Sequence, residues 1–262
     1  MSRSPDPRRD PRSTAELVKA ALAEAQQGDE AETEYPALSI LHARGTRDVL
    51  EAGRALCASR EARLRALGAD ILGQLGMPQR TFPEECCDAL LAVLKKETNT
   101  GVLVSAVFAL GHLRLRRAES EIIGQRGHRE EAVRHAVAFA LYGSESPAAV
   151  HALLELLEDP SEMVRDWAAT SIGETVSLDG PRIREALLKH VEDEDEITRA
   201  EALHGLARRR DPRVLPFLVK ELSVRRADPA PFIDAAKDFL GLGEKDAIGT
   251  KALLAALKSR QR

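Results

Sequence analysis

The chain has 262 residues, a formal net charge of −4, 44% hydrophobic residues and only 3% aromatic ones. The acidic balance argues against a general nucleic-acid binder, which neutralises phosphates with a basic face. No apolar run of about 18 residues occurs, so no membrane-spanning helix is expected. Cys57, Cys86 and Cys87 are odd in number, so they make no disulfide framework and are read as small buried residues in a reducing compartment.

A core with so few aromatics is built from Ala, Leu, Val and Ile. Ala and Leu are strong helix formers, and the composition predicts an all-α chain of short, closely packed helices. The N-terminus, MSRSPDPRRDPR, has basic residues with no apolar stretch behind them, so it is no secretory signal. Residues 1–12 are expected to form a disordered tail. Two N-terminal helices follow within 13–45, one near 14–27 and one near 36–43.

From about Thr46 to Gly243 one helical segment recurs. Segments 102–113 (VLVSAVFALGHL), 133–142 (VRHAVAFALY) and 164–173 (VRDWAATSIG) start 31 residues apart. Further copies lie at 64–73, 197–207 and 232–241, with offsets up to 38. A fixed period in this range signals a stacked array, which works through an extended surface. Val164, Ala168 and Ile172 in one copy, and Val133, Val137 and Leu141 in another, form the apolar stripe of a helix.

Most copies have a partner segment before them, at 83–96, 147–157, 181–191 and 212–222, each opened by proline. Ser146, Asp211 and Asp159 are candidate N-caps. Pro216 predicts that its helix starts late or bends. The unit is helix A, turn, helix B, present about six times, with a C-terminal helix at 245–260 as a cap. The expected architecture is a single array over 13–262.

The turn and B helix follow D-x-x-x-x-V-R-x-x-A-A-x-x-[IL]-G, carried by Asp159, Val164, Arg165, Ala168, Ala169, Ile172 and Gly173. Asp193, Arg199, Ala202 and Leu206 repeat it, and His128 stands in the Asp position of an earlier copy. This pattern resembles HEAT repeats, particularly the bacterial type named after phycobilisome lyases. The resemblance implies a right-handed α-solenoid superhelix with B helices on its concave face. The recurring Arg134, Arg165 and Arg199 are read as a structural ladder to acidic turns, with a basic line for an anionic ligand as the alternative.

Three activities of similar proteins find little support in the residues. The iron hydroxylases use His-Glu dipeptides, and none of the seven histidines here precedes Glu. For the DNA glycosylases only Asp166-Trp167 offers a parallel. For the chromophore lyases no motif for the chemistry is visible. Neither a phosphate-cradling Gly-rich loop nor a nucleophile elbow occurs. The expectation is therefore no enzyme, no catalytic residues, no cofactor and no metal.

With Val164 facing the core, positions 166 and 170 point the other way at about 100° per residue. Across copies the 170 position reads Asp70, Phe108, Phe139, Thr170, His204 and Asp238. Phe108 and Phe139 should lie side by side, with His112 and His135 beside them. Exposed aromatics among polar neighbours mark interaction surfaces; packing between adjacent B helices is the competing reading. The expected role is a cytoplasmic, bacterial-type scaffold holding a protein or peptide partner. Its candidate contact residues are Phe108, His112, His135, Phe139, Asp166, Trp167, Thr170 and His204. A chromophore-lyase accessory or subunit is the alternative implied by the resemblance.

Overall fold

The computed structural model describes residues 6–25, 36–224, 228–243, 246 and 248–261, and these are helical with no strand. The chain divides into two compact units, Met1–Ala140 and Leu141–Arg262. The sequence reading expects one array over 13–262.

The first unit contains α1 (Thr14–Glu24), α2 (Pro36–Arg44), α3 (Arg47–Cys57), α4 (Ala62–Gly73), α5 (Pro83–Leu94), α6 (Thr100–Leu113), α7 (Glu119–Ile123) and α8 (Glu131–Ala140). The second contains α9 (Pro147–Leu156), α10 (Glu162–Thr170), α11 (Pro181–Lys189), α12 (Glu196–Arg208), α13 (Leu215–Ser223), α14 (Ala230–Leu240) and α15 (Thr250–Arg260). The pairs α3/α4, α5/α6 and α7/α8 in one unit, and α9/α10, α11/α12 and α13/α14 in the other, are the six expected from the repeat. In each unit the B helices pack in a row, α4 on α6 on α8 and α10 on α12 on α14.

The core is aliphatic, as the composition requires. Val133, Val137, Leu141, Val164, Ala168 and Ile172 are all buried. Cys57, Cys86 and Cys87 are buried free thiols, and burial pushes the Cys57 and Cys86 thiols up to about 12.

Local signals set the helix starts. Ser13 and Glu16 close a capping box on α1. Ser146 accepts from Ala149 N at 3.0 Å and opens α9. Asp211 accepts from Arg213 N at 3.1 Å, which starts a 3-10 turn, so α13 begins late at Leu215.

Four expectations are corrected. Residues 6–12 of the expected disordered tail are ordered: Pro7–Arg9 form a 3-10 turn capped by Asp6, and Arg44 donates to the carbonyls of Asp10 and Arg12. Residues 1–5 lie outside the described residues. The terminal helix starts at Thr250, not 245, because Gly249 takes an extended conformation at its N-cap. The first helix ends at Glu24, with a C-cap at Ala25, so the expected end near 27 falls outside the described residues. Ser161, not Asp159, sits at the N-cap of α10; Asp159 instead accepts from Ser161 N at 2.9 Å within the turn.

Candidate functional site

The turn between helices A and B fixes where each B helix points. Five turns share one device, which in four of them lies five residues before the first buried B-helix position and in the Ser59 turn five residues before half-buried Leu64. Ser59, Glu97, His128, Asp159 and Asp193 each accept the backbone N–H two residues on, at 2.9–3.1 Å. His128 thus replaces Asp with a ring nitrogen in the same role.

Six residues later an arginine locks the turn. The Nη1 of Arg65, Arg134, Arg165 and Arg199 donates to the carbonyl of that turn residue, at 3.1, 2.8, 3.0 and 2.6 Å. The remaining edge of Arg65 grips Glu97 at 2.6 and 3.0 Å, and that of Arg165 grips Asp193 at 3.1 and 3.0 Å. Arg199 lies 3.4 Å from buried Glu221. These guanidiniums hold the turns, and those of Arg65, Arg165 and Arg199 also face an acid of a neighbouring repeat, which is the arrangement of a structural ladder. Burial raises the Asp193 carboxyl, but hydrogen bonds from Arg165 and His190 outweigh it and hold it at about 2.

The glycine ending each B pattern sets the spacing between B helices. A Cβ on Gly73 would stand 2.7 Å from Ala109 Cα, and one on Gly111 would stand 2.7 Å from Ala140 Cα. One on Gly173 would stand 2.8 Å from the Glu201 carbonyl oxygen. The B rows are therefore packed backbone to backbone, and their outward side chains form continuous faces.

On the first unit's face, Phe108, His112, His135 and Phe139 come together as expected. Phe108 meets Phe139 at 4.9 Å between ring centroids and His135 at 5.6 Å, and His112 meets Phe139 at 5.3 Å, all edge-on. All four rings are half-buried, so they pack between α6 and α8 and still reach solvent. Burial lowers both histidines; Arg80 and Arg114 lower His112 further, while Glu131 opposes the shift at His135. Asp70, at the neighbouring α4 position, is pushed up to about 6 by burial against a hydrogen bond from Ser105.

Asp166, Trp167, Thr170 and His204 lie in the second unit. Trp167 stands edge-on to Tyr142 at 6.3 Å. Thr170 Oγ1 donates to Asp166 Oδ1 at 3.3 Å. Burial, then the charges of Asp195 and Glu201, push Asp166 up to about 6. His204 bridges α12 to α14 through Asp238 at 2.8 Å, and Glu201 lies 3.7 Å from its other nitrogen. Burial lowers His204, but these two carboxylates outweigh it and raise its pKa. After Thr170 the helix continues as a π turn, Ser171–Thr175, with Ser171 and Thr175 hydroxyls bonded to carbonyls four residues back.

The sequence reading missed two residues here. Arg65 is a full rung of the ladder. Arg209, just past the end of α12, donates to the carbonyls of Ile172, Val176 and Leu178 after α10. The histidines are partly interior: His190 is buried and shares 2.8 Å with Asp193. Among the described residues no group of three or more His, Cys, Asp or Glu is placed to hold a metal ion.

The sequence model of the HEAT repeats matches residues 87–173 and 150–230. Protein YibA of Escherichia coli K12 is 28% identical over 193 residues, covering 70% of this chain and 67% of YibA. The X-ray structure of Escherichia coli YibA has a TM-score of 0.69 at 22% identity, covering 97% of this chain and 98% of that one. The crystal structure of an engineered protein has a TM-score of 0.54 at 15% identity, covering 93% and 71%. The two structural likenesses bear on the fold alone.

Proposed function

The chain belongs to the HEAT-repeat family, and on that premise we propose that it is a non-enzymatic scaffold or adaptor holding a protein or peptide on its B-helix face. The observation that carries this reading is the row of four edge-on rings, His135, Phe108, Phe139 and His112, half-buried across α6 and α8. Aromatic side chains locked by neighbours are strong contact groups, because little rotamer freedom is lost on binding. The glycine-spaced backbones behind them present the row as a preshaped surface.

The reading includes a reducing, cytoplasmic setting, supported by three buried thiols without a disulfide. It includes no general affinity for nucleic acid, supported by the acidic net charge. No helix among the described residues is long and apolar enough to cross a membrane.

The test is a pull-down that identifies a partner, followed by titration of that purified partner. The Phe108→Ser/Phe139→Ser variant is expected to bind at least about tenfold more weakly than wild type. Equal binding by the folded double variant overturns the proposal.

A further inference from the structure

The second unit's B-helix face has a different chemistry from the aromatic row. Three residues before Asp166 and Ala200 stand Met163 and Ile197, at the same register on α10 and α12. They are 51% and 54% exposed, the most exposed large apolar side chains of their unit's helices among the described residues. Half-buried Trp167 lies one turn on from Met163.

Carboxylates flank these apolar groups and, among the described residues, outnumber their one cation, His204, which Glu201 and Asp238 share. Among the described residues Asp166 takes only the Thr170 hydroxyl. The Oε2 of Glu201 is buried without a hydrogen-bond partner, 3.7 Å from His204. Asp238 is held by His204, and exposed Asp234 has no ion pair among the described residues. Nearby Arg208 is turned away onto the carbonyls of Gly173 and Glu174. Elsewhere in the unit three acids have cationic partners: Glu158 pairs with Lys189 at 2.8 Å, Glu192 with Lys220 at 2.7 Å, and Asp179 with Arg184 at 2.6 Å. Negative charge in excess of its counter-ions, beside exposed aliphatic side chains, is complementary to a cationic amphipathic partner.

We propose that this face docks a basic amphipathic peptide segment, with Lys or Arg against Asp166, Glu201, Asp234 and Asp238 and aliphatic side chains on Met163 and Ile197. The inference rests on the reading of the B helices as the binding face, and it adds the chemistry of the partner. Phosphate backbones and anionic lipid headgroups are repelled by the same carboxylates. The Asp166 carboxyl, raised first by burial and then by the charges of Asp195 and Glu201, fits the assignment, because an incoming cation offsets both.

The probe is a short fluorescent Lys/Leu amphipathic peptide titrated by anisotropy into the full chain, beside an analogue with Glu in place of Lys. Only the basic peptide is expected to bind, and more weakly as salt rises. Asp166→Asn/Asp234→Asn is expected to weaken binding at least about tenfold, and Met163→Ser/Ile197→Ser about fivefold. Glu158→Gln/Glu192→Gln changes net charge equally and is expected to leave affinity within about twofold, since exposed ion pairs contribute little. Circular dichroism of each variant separates lost binding from lost folding.

No binding of the basic peptide, binding of the acidic analogue, or equal effects of the two charge-neutralising pairs overturns the proposal. If a natural partner still depends on Phe108 and Phe139 in that event, the B-face reading stands and only the partner chemistry falls.

Discussion

Arg165 joins two successive turns of the second unit. Its Nη1 bonds the Asp159 and Pro160 carbonyls of its own turn, while Nε and Nη2 clasp both oxygens of Asp193 in the next. Asp193 in turn accepts Asp195 N and shares a hydrogen bond with His190. One guanidinium thereby fixes the entry of α10 and the turn that launches α12.

Arg165→Ala or Asp193→Ala is expected to destabilise the fold by about 2–3 kcal/mol, the range for a hydrogen-bonded charged partner. The Arg165→Ala/Asp193→Ala double variant is expected to cost less than the sum of the two, because both delete the same interaction. Urea unfolding of the four proteins measures this coupling. Strict additivity contradicts the clasp.

The same clasp sets a pH window. Asp193, Glu97 and Asp211 are each held at about 2 in the folded chain, below ordinary carboxylate values of about 4. Their contribution to stability is full above pH about 4 and is lost as pH falls toward about 2. Unfolding midpoints of Arg165→Met, compared with wild type, are expected to lose part of this acid slope. An unchanged slope contradicts the assignment.

Asp166 carries the opposite sign. Its folded pKa is raised to about 6, so its ionised form costs stability above that pH, and the cost is relieved as pH falls through 6 toward about 4. Asp166→Asn is expected to stabilise the chain at pH 7 and to lose the advantage near pH 4. Thermal midpoints at both pH values measure it, and a variant less stable at pH 7 contradicts the assignment.

Gly111→Ala places a methyl 2.7 Å from Ala140 Cα and Cβ. Backbone cannot yield as a side-chain tip does, so a loss of about 1–3 kcal/mol is expected. Gly101, on the same helix, meets only Asn99 Oδ1, at 3.4 Å. Gly101→Ala is expected to raise stability by about 0.5 kcal/mol through helix propensity. Thermal unfolding of the two variants should move in opposite directions.

The sequence made the six helix pairs legible because one pattern carries core valines and alanines, turn acceptor, arginine and closing glycine in fixed register. Phe108 and Phe139 were placed together for the same reason, since a shared register makes outward positions neighbours. Arg65 escaped because the following copy has Leu103 in its place, which breaks the series. The full reach of Arg209 escaped because the carbonyls of Ile172, Val176 and Leu178 lie more than thirty residues away. The π turn at Ser171–Thr175 arises where two hydroxyls back-bond into the helix beside Gly173, a competition that no apolar periodicity records. The turn of Pro7–Arg9 escaped because its anchor, Arg44, is distant in sequence and its Pro and Arg content reads as disorder.

The central claim is that partners engage the B-helix face. Amide hydrogen exchange, with and without a purified partner, tests it most directly. Protection is predicted in the B helices, 100–113 and 131–140 above all, with A helices 83–94 and 147–156 unchanged. Protection confined to the A helices would contradict the account.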